Sequence, residues 1–295
     1  MLAECQRMFT TADTIGIIGT GLMGTAIGER LLAAGFRVLA WDREAARLAE
    51  SGTEAAVSAA AVAQSCGCLV LSLPDSRSVG SVLDEISSVL REGSVILDMS
   101  TGEPADARRF AESLEKRGVA FLDATISGSS EQLRRGEALC MVGGAEVAYA
   151  DCESVLDALG GPVRYLGASG NAARMKLVTN LVLGLNRAAL AEGLALAEVL
   201  GLEPHQTLEV MQASAAYSRI MDTKGEKMIA REFSPVARLS QHLKDVRLIQ
   251  HAGESGGLRL PLTDVHRALL EEAEAAGLGA QDNSAIIEVI RRKQA

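Results

Sequence analysis

One glycine spacing near the start of this chain constrains its fold more than any other feature. Gly19, Gly21 and Gly24 form G-x-G-x-x-G within TIGIIGTGLMG, with an apolar run at 15–18 before them and a helical stretch at 22–34 after them, stopped by Gly35. A short strand entering a tight turn that opens a helix is the first half of a βαβ unit. The first glycine allows the turn. The second lets the backbone approach a pyrophosphate, and the third lets helix and strand pack closely. The helix start then offers free N–H groups and a positive dipole end to phosphate. In a chain with 29 glycines the spacing alone would carry little; its place between strand and helix carries the reading.

The alternation continues downstream. Strands are expected at 37–41, 69–73, 95–99, 119–122 and 139–142, with helices at 78–90 and 105–117 among them. Such alternation implies an α/β Rossmann-type domain with a mainly parallel, twisted sheet. The texture changes near Gly167. An unbroken helical stretch covers 171–200, and further helices are expected at 204–212, 239–253, 264–276 and 284–292. The expected organisation is a dinucleotide-binding Rossmann domain over 13–167, followed by an all-α C-terminal domain over 168–295 for substrate and oligomerisation. A length of 295 residues suits two domains, and with only 3% aromatics their cores must be built from Ala, Leu, Val, Ile and Met.

Asp42 ends the second strand about twenty residues after the loop. A carboxylate there accepts hydrogen bonds from ribose hydroxyls and repels a 2′-phosphate, which points to NAD. Arg43, next in sequence, could pair with a 2′-phosphate and keeps NADP open. Asp42 can serve as a helix N-cap at the same time.

A net charge of −9 leaves no basic footprint for nucleic acid. No apolar run reaches the length of a membrane span. The first dozen residues lack both the apolar core of a secretory signal and the arginine density of a transit peptide, so a cytoplasmic protein is expected. The five cysteines, Cys5, Cys66, Cys68, Cys140 and Cys152, form no disulfide framework, and with four scattered histidines they form no metal motif. No metal is expected.

Several segments, in order along nearly the whole chain, resemble the β-hydroxyacid dehydrogenases, the family of 3-hydroxyisobutyrate dehydrogenase and tartronate semialdehyde reductase. GTGLMG, with Leu22 and Met23, resembles the cofactor loop, and LSLPD the loop after the fourth strand. LDMST resembles the strand end beside the nicotinamide, DATISGS the substrate-binding segment, and GNAARMKLVTN the catalytic helix. HLKDVRLI resembles a later lysine motif and GLGAQDNSA a C-terminal signature. The resemblance implies a Rossmann domain and a helical domain with the active site between them. It implies that Lys176 is the catalytic acid/base, that Asn180 holds the substrate oxygen, and that Ser127 and Gly128 hold its carboxylate. Lys244 would lie near nicotinamide and substrate, and Leu73, Pro74, Ser78 and Thr101 would contact the cofactor. Two places depart from the family pattern: Ser129 stands where a second glycine is usual, and a proline is usual near Thr125, where this chain reads ATIS. The Ser129 hydroxyl is expected to favour a more polar acid.

The residues agree by their own chemistry. Oxidising an alcohol with a nicotinamide needs a hydride acceptor, a base for the hydroxyl proton and a clamp for the rest of the molecule; the cofactor does the redox step. Lys176 and Asn180 are four residues apart, so both project from one helix face. Desolvation and a neighbouring cation, which Lys244 would be, are the means by which a lysine is brought toward the working range. The expected function is an NAD(P)-dependent oxidoreductase interconverting a small, anionic 3-hydroxy acid and its aldehyde or keto acid. The alternatives are an inactive dinucleotide-binding sensor or scaffold, an imine-reductase-like relative, which would lack Lys176, or a 6-phosphogluconate-dehydrogenase-like relative, which would need a histidine where Thr179 stands. A homodimer or homotetramer is expected, because Leu177, Leu181, Leu185, Leu190, Leu194 and Leu196 cannot share one helix face.

Overall fold

The computed structural model describes residues 8–291. The chain divides into two units, the first ending at Lys176 and the second beginning at Leu177. Cys5 and Arg292, the end of the last expected helix, lie outside the described residues.

The first unit is built on one eight-stranded sheet: β1 (Thr14–Ile18), β2 (Arg37–Trp41), β3 (Glu54–Ala55), β4 (Cys68–Leu71), β5 (Val95–Asp98), β6 (Ala120–Ser127), β7 (Leu139–Gly143) and β8 (Val163–Tyr165). The strand order is β3-β2-β1-β4-β5-β6-β7-β8, and only the β6–β7 pair is antiparallel. Order reverses between β1 and β4, the switch point at which open α/β sheets bind ligands beyond their strand ends. Helices α1 (Leu22–Ala33), α2 (Ala45–Glu50), α3 (Ala59–Ser65), α4 (Ser76–Ile86), α5 (Pro104–Glu115), α6 (Ser130–Arg134), α7 (Glu146–Asp151) and α8 (Glu153–Asp157) connect the strands.

Alternation along the strands explains why the unit has two cores. Ile15 and Ile17 pack with Val38, Val70, Leu97 and Leu122 on one face. Ile18 packs with Leu69, Leu71, Ile96 and Phe121 on the other. A parallel sheet covered on both faces needs such near-continuous apolar strands. The thiols of Cys66, Cys68, Cys140 and Cys152 are buried here and unbridged. Burial pushes Cys66 up to about 11 and Cys140 to about 12.

β6 runs through Ser127, well past its expected end at 122. Asp123 and Thr125 interrupt the apolar pattern, yet both are buried, because the start of α9 (Asn171–Val199) supplies their partners.

The second unit is built of helices among its described residues: the continuation of α9, α10 (Pro204–Ala213), α11 (Ile220–Ala230), α12 (Leu239–Ser255), α13 (Pro261–Ala273) and α14 (Ile287–Ile290), with a wider helical turn at Glu274–Leu278 and a tighter one at Asn283–Ile286 between the last two. Leu190, Leu194, Leu208, Met228, Leu243, Val246, Leu270 and Ile286 form its core. The sequence reading lacked α11. Its interior carries Lys224 and Gly225, both buried: Lys224 pairs with Asp282 at 2.7 Å, and Leu208 packs where a side chain at Gly225 would stand.

Candidate active site

The C-terminal ends of β1, β2, β4, β5 and β6 lie on one edge of the sheet, since these strands are parallel. The phosphate-loop glycines follow β1 there. Gly19 has φ +98°, and an ideal Cβ on it would stand 2.3 Å from the Ser72 carbonyl oxygen. A Cβ on Gly24 would stand 1.9 Å from the Gly19 carbonyl oxygen, so the third glycine lets α1 approach the loop. A Cβ on Gly21 would meet nothing within 4 Å. Gly21 is also the N-cap of α1, with no side-chain cap. Open space before an uncapped twelve-residue helix suits a pyrophosphate, and the residues present fit a bound dinucleotide. Leu22 and Met23 open that helix.

Asp42 follows β2 and is buried. Its Oδ2 accepts from Thr20 N–H at 2.7 Å and its Oδ1 from Glu44 N–H at 2.8 Å. The carboxylate is thereby aimed by backbone on both sides and tied to the phosphate loop. Arg43 beside it is exposed.

After β4, Leu73 lies against Gly19, and its N–H donates to Ser100 Oγ at 3.0 Å. That bond ties the loop after β4 to the loop after β5, where Thr101 is half-buried. Pro74 is exposed. The Ser78 hydroxyl, expected on the cofactor, donates to Asp75, which caps α4.

At the end of β6 lies the turn of Ser127, Gly128 and Ser129. Gly128 has φ +153°, and a Cβ there would stand 2.9 Å from that of Ala138, so only glycine fits. The Ser129 side chain accepts from Gln132 N–H while Gln132 accepts from Ser129 N–H, a reciprocal cap for α6. The residue read as a specificity determinant is therefore also a helix cap, with its hydroxyl hydrogen left to donate. Lys176 is 8% exposed, and its Nζ donates to the Ile126 carbonyl at 2.5 Å, immediately before the turn.

Near that contact Asp123 Oδ1 accepts from Gly170 N–H at 2.8 Å, and Oδ2 from Ala173 N–H at 2.9 Å. Thr125 Oγ1 donates to the Ala172 carbonyl at 3.2 Å. A cavity of about 10 Å³, room for one water, lies beside Asp123 and Thr125 and is lined also by Asp98 and Ser100.

In the second unit Asn180 is buried, and its Nδ2 donates to Asp245 Oδ2 at 3.0 Å. Asp245 Oδ1 lies 3.1 Å from Lys244 Nζ. Asp245 thus joins two residues that the sequence reading selected separately. That reading missed it: position i+1 after a lysine does not say that a carboxylate turns toward a residue 65 positions away.

Both units match known protein families. Residues 14–167 match the family described as NAD binding domain of 6-phosphogluconate dehydrogenase, and residues 170–290 that described as NAD-binding of NADP-dependent 3-hydroxyisobutyrate dehydrogenase. The chain is 33% identical to 2-(hydroxymethyl)glutarate dehydrogenase of Eubacterium barkeri, over 93% of this chain and 94% of that protein. It is 30% identical to glyoxylate/succinic semialdehyde reductase 1 of Arabidopsis thaliana, over 94% of this chain and 98% of that protein. Among solved structures, 3-hydroxyisobutyrate dehydrogenase from Salmonella typhimurium superposes with a TM-score of 0.86 at 28% identity, covering 94% of this chain and 99% of that one. A phosphate loop at the switch point, a buried lysine at the end of β6 and matches spanning both units converge: the chain belongs to the β-hydroxyacid dehydrogenase family of NAD(P)-dependent oxidoreductases.

Proposed function

We propose that the chain interconverts a small 3-hydroxy acid and its aldehyde acid, with NAD(H) as the preferred cofactor and Lys176 as the acid/base. The observation that carries this reading is the buried Lys176 Nζ held on the Ile126 carbonyl, beside the Ser127–Gly128 turn and in the same unit as the phosphate loop.

The cofactor, when bound, accepts or supplies the hydride. The chain's residues do the rest. Gly19, Gly21, Leu22, Met23 and Gly24 hold the pyrophosphate. Asp42 accepts from the ribose hydroxyls, and its fixed orientation disfavours a 2′-phosphate despite the nearby Arg43. Leu73, Pro74, Ser78 and Thr101 border the rest of the cofactor. Lys176 takes the hydroxyl proton as a neutral amine on oxidation and, as the resulting ammonium, returns it on reduction. Asn180, one helical turn further along α9, donates to the reacting oxygen through the amide hydrogen that Asp245 leaves over. The Ser127–Gly128–Ser129 turn holds the substrate carboxylate through backbone N–H groups and hydroxyls, and Lys244 adds positive charge.

The names of the relatives, a hydroxymethyl acid dehydrogenase and a semialdehyde reductase, support a primary alcohol or aldehyde on a short acid. Assembly as a homodimer or homotetramer belongs to the same reading. Met175, Val178, Val182 and Leu183 form an exposed apolar strip on α9, beyond what the fold of one chain buries.

The test is Lys176→Ala, assayed with both cofactors against 3-hydroxyisobutyrate, glycerate, 3-hydroxypropionate, threonate and the corresponding aldehyde acids. Turnover should fall by roughly 10²–10⁴-fold with NADH affinity retained. Activity within a few-fold of the parent would remove Lys176 from the mechanism.

A further inference from the structure

Alternate residues of a strand face the same way. On β6, Asp123 and Thr125 do so, and both end on the first turn of α9. Asp123 binds the N–H groups of Gly170 and Ala173, the residue before the helix and its third residue. Those are the two donors that a capping box satisfies from within a helix. Gly170 and Ala173 have no side chains able to do it, so a carboxylate 47 and 50 positions earlier in the chain does both. Thr125 reaches the Ala172 carbonyl. In an α-helix that carbonyl is the acceptor for the backbone N–H four residues on, which is Lys176. The Lys176 side chain then donates back to Ile126 of the same strand. Strand and helix are joined twice, once at the start of α9 and once through Lys176 itself. Ala173 packs in the apolar core with Phe110, and the hydrogen bonds add direction to that packing.

We propose that Asp123 and Thr125 are positioning residues for Lys176: they fix where α9 starts on β6, and so the depth and angle at which Nζ reaches the Ile126–Ser127–Gly128 turn. The proposal rests on Lys176 being the acid/base. Asp123 is 2% exposed, and burial raises its pKa against the pull of the Gly170 and Ala173 N–H groups. The fold thus keeps a carboxylate where an apolar residue would pack at less desolvation cost, as expected if geometry at the helix start is what it secures.

The experiment compares Asp123→Asn, Thr125→Val and Thr125→Ser with the parent. Four quantities are read: NADH affinity, kcat and KM for the fastest aldehyde acid of the panel, the primary isotope effect on kcat with 4-deuterated NADH, and amide exchange over 172–176. Asp123→Asn sets an amide N–H against one of the two helix donors. Its kcat should fall by an amount approaching the order of 10²-fold that an ångström of misplacement costs. The isotope effect should rise as the chemical step becomes limiting, with NADH affinity within twofold of the parent, and exchange over 172–176 should quicken about fivefold, as for a lost cap. Thr125→Val should show the same pattern more weakly, and Thr125→Ser should restore it. Faster exchange with unchanged kcat and isotope effect would make these residues helix stabilisers only and overturn the proposal. If Asp123→Asn fails to fold, the Thr125→Val and Thr125→Ser pair decides by the same readouts. Lys176→Ala separates the two ideas: an active Lys176→Ala overturns the assignment of the base, whereas an inactive one alongside unaffected clamp variants overturns the clamp alone.

Discussion

His266 should make the helical unit acid-sensitive. It is 2% exposed in the interior of that unit, with its ring centroid 5.2 Å from that of His242. Both rings occupy the space that a side chain at Gly184 would need. Burial, and then the nearby Arg187 guanidinium, lower His266 from 6.5 to about 4. Arg187 is itself buried, with no partner for Nε or Nη2 among the described residues. The folded state therefore holds His266 neutral. Below pH 6.5 the unfolded chain takes up a proton that the folded chain refuses until about pH 4, so stability falls through that window. With those two values, the loss between pH 7 and pH 5 is about 2 kcal/mol, from one group. Urea unfolding of the parent and of His266→Gln, followed by far-UV circular dichroism at both pH values, isolates the effect. The substitution has its own cost, but that cost is common to both pH values and cancels in the difference. The parent should lose about 2 kcal/mol more than the variant on acidification. Equal losses in the two proteins would mean that His266 is not held neutral, and the reasoning from its burial would fail.

Asp42→Ser should weaken NADH binding and raise kcat/KM with NADPH relative to NADH; a parent enzyme that already prefers NADPH would contradict the ribose-site reading. Ser129→Gly should shift preference from hydroxylated acids such as glycerate toward 3-hydroxyisobutyrate, read as a ratio of kcat/KM values, and a small loss of stability should accompany it because the α6 cap is removed. An unmoved ratio with that stability loss would leave Ser129 as a cap only. Light scattering at micromolar concentration should show a dimer or tetramer, and a Val178→Glu, Val182→Glu pair should shift the mass toward the monomer if the exposed strip of α9 is the contact; a monomeric parent would refute the assembly.

What could be read from the sequence was local. The turn at Gly19, Gly21 and Gly24 needs its glycines for reasons contained in ten residues, and the structure shows a positive φ, open space and a close backbone approach at the three positions. The register Lys176, Asn180 follows from helical spacing alone. What could not be read depends on partners far along the chain. Asp123 and Thr125 fell beyond the expected end of the strand at 122, since the α9 turn that satisfies them comes 47 residues later. No helix was read over α11, whose buried Lys224 finds its partner Asp282 58 residues away. Ser78 and Ser129 were read as ligand contacts; in the fold Ser78 also bonds Asp75, the cap of α4, and Ser129 also caps α6.

The buried thiols of the first unit make it a reporter of its own opening. Cys68 lies in β4 near the middle of the sheet and Cys140 in β7 near its edge, both essentially inaccessible. In a folded molecule neither meets a thiol reagent. In a Cys5→Ser background, labelling must wait for each strand to be exposed. The rate at Cys140 then times the loosening of the edge, and the rate at Cys68 times the loss of the sheet centre. If Cys140 reacts before Cys68, the sheet opens from its β8 side inward, past the same β6 that carries the Ile126 carbonyl. Bound NADH should slow Cys68 more than Cys140, because β4 leads into the loop against which the Gly19 turn is packed.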